Sequence, residues 1–301
     1  MDKREQFVEA QRALLDRYGV EAQSRFIEIA FIGGRAHVLV SGEGPAVVMI
    51  NGIGTPGAMF APLMSELKNF QLFVVDLPGY GLTDTTDGFA KNLQSNAVRF
   101  LTGVLDKLGL ETAPFVANSM GSLWTIWLSL DRPGKVSSMI HLGCPAVVLD
   151  TSAPLPMRLL SVKILGRLLT RLQPPSEKQV EQLSKMVHEY PMEPELIRLL
   201  VATEKLPGFR SMFLSTLNKL LRLSGNRPGM RVTREQLTRL QQPALIFWGE
   251  DDPFGSPETG KQMVEQMSDA ELHVVGGGHA PWLTQSKRIG PIATRFLNKV
   301  I

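Results

Sequence analysis

Phe115-Val116-Ala117-Asn118-Ser119-Met120-Gly121-Ser122 is the stretch whose reading decides the fold. It begins as a short apolar run and, past Asn118 and Ser119, enters the helical pattern of residues 120–130. A serine wedged into so sharp a strand-to-helix turn takes a strained backbone conformation. Its neighbours two before and two after must then be small to avoid collision. Ala117 and Gly121 meet that condition. The turn lifts Ser119 off the sheet, with the Met120 amide and the helix N-terminus facing whatever the hydroxyl attacks.

Outward from this turn, unbroken apolar runs recur at residues 46–50, 72–75, 139–142, 244–248 and 272–275. Such runs mark strands buried on both faces of a parallel sheet. Helical patterns lie between and after them at 58–67, 93–108, 258–267 and 286–300. The alternation predicts an α/β fold with right-handed crossovers. Upstream, Phe7, Ala10, Leu14, Leu15 and Tyr18 predict an amphipathic helix over 4–18, followed by two strands joined across Gly33-Gly34. Residues 150–239 break the rhythm. They hold 15 basic and 8 acidic residues, net +7, against net −4 for the remainder, and are rich in leucine, methionine and arginine. About four helices are expected there, bounded by Pro174-Pro175, Pro191 and Pro194. The chain thus divides into a core of 1–145 and 240–301 and a helical cap of 146–239.

The 301 residues are 44% hydrophobic and 20% charged, which excludes an intrinsically disordered chain. No apolar run reaches the length of a membrane-spanning helix. The 32 basic residues barely outnumber the 29 acidic ones, so nucleic acid is not an expected partner. A single cysteine, Cys144, excludes an intramolecular disulfide and a cysteine-built zinc site. The mixed-charge start shows no signal peptide, and a cytoplasmic protein is expected.

A serine nucleophile needs a base. Of five histidines, His37, His141 and His273 fall in strand patterns and His188 in the cap. His279 follows Gly276-Gly277-Gly278 just past the last strand, where open α/β sheets gather their functional groups. Four segments resemble the motifs of the lidded α/β-hydrolases, over about residues 24–145 and 240–300. They are the serine turn, with Ala117 in place of the first glycine of G-x-S-x-G, and the loops 76–81, 249–253 and 278–282. The resemblance implies an α/β-hydrolase fold, a mostly parallel central sheet flanked by helices with an inserted helical lid. It also implies Ser119 as nucleophile, His279 as base and Asp252 as the acid that orients it; Glu250 and Asp251 remain open on the residues alone. One oxyanion donor is the Met120 N–H. The other belongs to the loop Asn51-Gly52-Ile53-Gly54, where family members commonly have His-Gly; the motif's register gives Ile53, with Gly54 as the alternative.

Three functions are weighed. The leading expectation is a carboxylesterase acting on an apolar ester through an acyl-enzyme, without metal or organic cofactor. The alternative is a carbon–carbon bond hydrolase of the meta-cleavage-product type. Those relatives share Asn-Ser-Met-Gly at the turn, as at 118–121, and often Pro-Gly in the oxyanion loop, as at Pro56-Gly57. The third is a non-catalytic binding protein of the same fold, against which the three retained triad positions speak. Met157, Met186, Met192 and Met212, with the cap's leucines, read first as the core of the cap itself; some must face the cleft, which implies an apolar group on a small-molecule substrate. The basic charge of the cap reads as solvated helix faces, with anionic lipid or anionic substrate as the sharper alternative.

Overall fold

The computed structural model describes residues 2–301. Helix α1 (Lys3–Arg17) opens on a capping box in which the Asp2 side chain accepts from the Glu5 amide and the Glu5 carboxylate accepts from the Asp2 amide. Strands β1 (Ala22–Ile29) and β2 (Gly34–Ser41) pair antiparallel, and Gly33 takes the positive φ of 77° that their connection requires. Then come β3 (Ala46–Ile50), α2 (Ala61–Met64), β4 (Gln71–Val75), α3 (Leu93–Leu108), β5 (Ala113–Asn118), α4 (Met120–Asp131) and β6 (Val136–Leu142). After the insertion follow β9 (Ala244–Gly249), α11 (Pro257–Val264), β10 (Ala270–Val275) and α12 (Trp282–Val300).

The eight-stranded sheet runs β1-β2-β4-β3-β5-β6-β9-β10. Both pairings of β2 are antiparallel, and every pairing from β4 to β10 is parallel. Alternate residues serve opposite faces. Val48, Ile50, Phe115 and Ala117 join one core with Trp124 of α4 and Leu101 of α3. Val47, Met49 and Val116 join the other with Phe7 of α1 and Trp282 and Leu297 of α12. Burial on both sides is why these strands read as continuous apolar runs.

The insertion between β6 and β9 holds α5 (Leu155–Leu160), α6 (Lys163–Leu172), α7 (Glu177–Met186), α8 (Pro194–Glu204) and α9 (Phe209–Leu220). A two-residue hairpin, β7 (Leu221–Arg222) with β8 (Gly225–Asn226), and the short α10 (Arg234–Thr238) lead back to the sheet. Five helices thus precede the hairpin where about four are expected. The leucine-rich stretch breaks at Val162, which is extended at ψ 114° and lets α6 start afresh. The helix expected over 58–67 is a 3₁₀ turn, Gly57–Phe60, followed by the single-turn α2. Pro62 has no N–H for a continuous helix to use, so the ladder restarts around it. Helix α12 opens with a single turn from Trp282, is interrupted at Gln285 (φ −116°, ψ 16°), and runs on from Ser286, the expected start.

Candidate active site

The β5–α4 turn has the expected strain. Ser119 sits at φ 51°, ψ −112°, a conformation costing about 1–3 kcal/mol that survives only where its surroundings impose it. Those surroundings are visible. Strand β5 is held in register on both sides, with Ala117 opposite Ile50 and His141. Helix α4 packs so close to β3 that a Cβ at Gly121 would run into the carbonyl oxygens of Ile50 and Asn51. Ser122 Oγ bonds the Ala117 carbonyl at 3.0 Å, closing the turn from the helix side.

His279 and Asp252 meet across 27 residues of sequence. His279 Nδ1 lies 2.9 Å from Asp252 Oδ2 and 3.1 Å from Oδ1, so this nitrogen carries the proton that the carboxylate accepts. The carboxylate is fixed in turn by the Cys144 amide on Oδ2 (2.8 Å) and the Phe254 amide on Oδ1 (3.0 Å). Asp251 offers no carboxylate to the imidazole; its backbone oxygen contacts His188 Nδ1 at 2.6 Å. His279 Nε2 is buried and has no hydrogen-bond partner among the described residues. It lines the same cavity as Ser119, although the two side chains form no hydrogen bond in this conformer. The Phe254 ring lies over the imidazole at a centroid distance of 4.1 Å. Burial, then the charge of Asp252, pushes the neighbouring Cys144 thiol well up, so it stays protonated and inert.

The loop after β3 is shaped by its own asparagine. Asn51 Oδ1 accepts from the Gly52 amide (2.8 Å), and its Nδ2 donates to the Pro56 carbonyl (3.1 Å). A Cβ at Gly52 would stand 2.9 Å from Asn118 Oδ1 and 3.2 Å from Ser119 Cβ, so only glycine lets this loop lie against the turn. Ile53 follows on the cavity wall, and the Met120 amide heads α4, where helix amides have no intrahelical acceptor. Asp76, in the loop 76–81, accepts from Gly57 N (2.7 Å) and Leu82 N (2.8 Å), tying the far end of the loop after β3 to β4.

Asp76 Oδ2 also meets His37 Nδ1 at 2.7 Å, and His37 Nε2 lies 2.9 Å from Ser24 Oγ. This second Ser–His–Asp line is not equivalent to the first. Ser24 sits on the exposed face of edge strand β1, with no helix N-terminus behind it and no residue of the line on the cavity wall. Its histidine supports a loop.

Glu189 has no counterpart among the sequence expectations. It lies in the insertion, is 4% exposed, and its Oε1 accepts from the Ala280 amide at 2.6 Å, next to the imidazole. Burial pushes its carboxyl up to about 7, with the charge of Asp252 adding to the shift, while the Ala280 and Gly278 amides and His279 oppose it. Alongside, the His279 amide donates to the Val187 carbonyl at 3.1 Å. Gly278 passes so close to Val187 and His188 that a Cβ would collide with their carbonyl oxygens. From the other side, Asn118 Nδ2 donates to the His279 carbonyl at 3.0 Å, joining the serine turn to the histidine loop. One acid among eight in the insertion, Glu189 carries no motif; only the fold brings it to the site.

The cavity above Ser119 has a volume of about 530 Å³. Its walls combine Ile53 and Phe254 of the core with Met157, Leu160, Leu183 and Phe213 of the insertion. Fold and site together define an α/β hydrolase with a serine turn, a histidine loop and an apolar cleft under inserted helices. The family model for the alpha/beta hydrolase fold matches residues 45–285, and the chain belongs to that family.

Among curated relatives, a 2-hydroxy-6-oxononadienedioate/2-hydroxy-6-oxononatrienedioate hydrolase of Burkholderia vietnamiensis is 27% identical over 288 residues, 92% of this chain and 96% of its own. A 2-hydroxy-6-oxo-6-phenylhexa-2,4-dienoate hydrolase of Burkholderia cepacia is 26% identical over 80% of this chain and 82% of its own. A carboxylesterase structure from Bacillus subtilis superposes with TM-score 0.81 over 100% of both chains at 19% identity, a likeness of fold alone. These findings overturn the carboxylesterase expectation. The relatives alike in sequence along most of their length are carbon–carbon bond hydrolases, and the ester hydrolase is a structural neighbour only. The arrangement of a serine, a histidine and an aspartate cannot tell the two apart, because both reactions begin with attack on a carbonyl.

Proposed function

We propose that the protein is a serine-dependent carbon–carbon bond hydrolase acting on 2-hydroxy-6-oxo-dienoic acids. The observation that carries the reading is the near full-length likeness to hydrolases of that substrate class, joined to the Asn118-Ser119-Met120-Gly121 turn. Ser119 is the nucleophile, His279 the base, Asp252 its orienting acid, and the Met120 and Ile53 amides the oxyanion donors. Residues 146–239 act as a lid over the cleft.

The chemistry follows from the substrate. A 2-hydroxy-dienoate is the enol of a 2-oxo acid, and the bond between C5 and C6 breaks only if C5 can leave with its electron pair. Moving the enol proton to C5 makes the 2-oxo tautomer, in which that pair is delocalised on to the 2-oxo group. Ser119 Oγ, losing its proton to His279 Nε2, adds to the C6 carbonyl, and the C6 oxygen takes negative charge facing the two amides. Collapse expels C5 as the dienolate and leaves an acyl group on Ser119. The dienolate takes the proton from His279 Nε2 to give the 2-hydroxydienoate, and a water molecule deprotonated by the now neutral imidazole then releases the carboxylic acid, the proton returning to Ser119 Oγ. Throughout, Asp252 holds the Nδ1–H tautomer and balances the imidazolium. The largely apolar lining of the cleft strengthens each of these electrostatic contacts.

The test is turnover of 2-hydroxy-6-oxo-6-phenylhexa-2,4-dienoate, followed by loss of the dienolate chromophore and release of benzoate, beside a panel of p-nitrophenyl esters. The dienoate should exceed the esters by orders of magnitude in kcat/KM, and Ser119→Ala should lower kcat roughly a millionfold. Ester cleavage without dienoate cleavage above the Ser119→Ala background would refute the reading.

A further inference from the structure

One surface of the insertion is at odds with ordinary helix packing. Helix α6 reads Lys163-Ile164-Leu165-Gly166-Arg167-Leu168-Leu169-Thr170-Arg171-Leu172 and has two apolar faces. The inner one is accounted for. Gly166 packs against the Leu160 carbonyl and Leu214, and Leu169 and Thr170 line the cleft. The outer one is not. Ile164 is 84% exposed, Leu168 51% and Leu172 69%, and their four-residue spacing sets them in one stripe along the helix. Val162, also exposed, extends the stripe at its N-terminal end. One position before each stripe residue stands a cation, Lys163, Arg167 and Arg171, again at four-residue spacing and so in a parallel row beside the apolar one. None of the three makes an ion pair among the described residues.

An exposed aliphatic row flanked by unpaired cations is the pattern of a helix lying in a lipid interface. Apolar side chains enter the acyl boundary there, and long basic side chains reach back to the phosphates. We propose that α6 docks the protein on an anionic bilayer surface, with Ile164, Leu168 and Leu172 inserted and Lys163, Arg167 and Arg171 against the lipid headgroups. Charge selects this occupant over a second copy of the chain. Isologous pairing across α6 would oppose the cationic row to an identical cationic row, with no acid on the helix to separate them. No helix among the described residues is long and apolar enough to cross a membrane, so the association is peripheral. Because the same helix walls the cleft through Leu169 and Thr170, docking sets the cleft close to the lipid phase.

The experiment is co-sedimentation of the whole protein with vesicles of phosphatidylcholine, with and without about one-third phosphatidylserine. The wild type should bind the anionic vesicles and not the zwitterionic ones, and binding should weaken about tenfold or more when salt is raised several-fold. Leu168→Asp and Arg167→Glu alter exposed side chains off the cavity wall, and each should lower vesicle affinity at least tenfold with an unchanged circular dichroism spectrum. Absence of wild-type binding to anionic vesicles would overturn the proposal. So would equal binding by wild type and both variants, or a wild-type dimer in sedimentation velocity that Leu168→Asp dissociates.

Discussion

Replacing Glu189 by glutamine isolates the contact that joins the insertion to the histidine loop. The native carboxyl is pushed by burial from 4.5 to about 7. The unfolded chain therefore releases this proton near pH 4.5 and the folded chain only near pH 7. Between those values the folded state binds more protons, so stability falls as pH rises through the window. A shift of this size corresponds to about 3 kcal/mol, absent below the lower value and fully expressed above the upper one. Glutamine keeps the shape and an oxygen able to accept from the Ala280 amide, but has no proton to lose. Glu189→Gln should therefore match the wild type near pH 4 and exceed it by about 3 kcal/mol near pH 8, read from urea unfolding midpoints with m unchanged. Glu189→Ala is the counterpart. It leaves the buried Ala280 amide without this acceptor, so it should lose about 1–3 kcal/mol, with a lower kcat as the loop carrying His279 loosens. A Glu189→Gln protein less stable than wild type near pH 8, or one whose difference from wild type is flat across pH, would refute the reasoning, since desolvation would then not govern this group.

Three further outcomes are expected. Asp252→Asn should lower kcat by about 10⁴, because an amide in place of the carboxylate can donate to Nδ1 and invert the tautomer, whereas Asp251→Asn should stay near wild type; the reverse order in steady-state kinetics would move the acid to Asp251. His141 is fully buried with neither ring nitrogen partnered among the described residues, and burial lowers it to about 4. The unfolded chain then takes up this proton first as pH falls from about 6.5, so His141→Leu should remove up to about 3 kcal/mol of acid destabilisation between there and about pH 4, seen as a flatter stability–pH curve. Gly121→Ala should cost several kcal/mol or abolish soluble expression, because its methyl would overlap the Ile50 carbonyl; a thermal scan showing a native midpoint would contradict the close approach of α4 to β3.

The parts of this protein that the sequence disclosed are those set by near neighbours. A run such as Ala46–Ile50, five apolar residues ahead of Asn51-Gly52, reads as a doubly buried strand, and β3 occupies those five residues. Leu93–Leu108 keeps its apolar stripe up to Gly109, whose φ of 74° ends α3 where the pattern ends. The small residues around Ser119 announce a turn that needs them, and the backbone there is strained as they imply. Other features were hidden because their causes are not local. The break at Val162 divides a stretch whose periodicity reads as continuous. The expectation of Asp252 over its acidic neighbours rests on a family pattern; what no local spacing shows is that its carboxylate lies against His279 Nδ1, held by amides from Cys144 and Phe254.

By itself, then, the chain of letters determined the layered α/β architecture, the serine turn and the loop that presents His279, because backbone sterics and burial periodicity act over a few residues. Tertiary structure alone decided that Glu189 reaches the histidine loop, that His37 and Asp76 form a supporting pair, and that α6 turns a second apolar face outward. Each of these depends on which surfaces meet when distant segments pack, and no spacing along the chain records that.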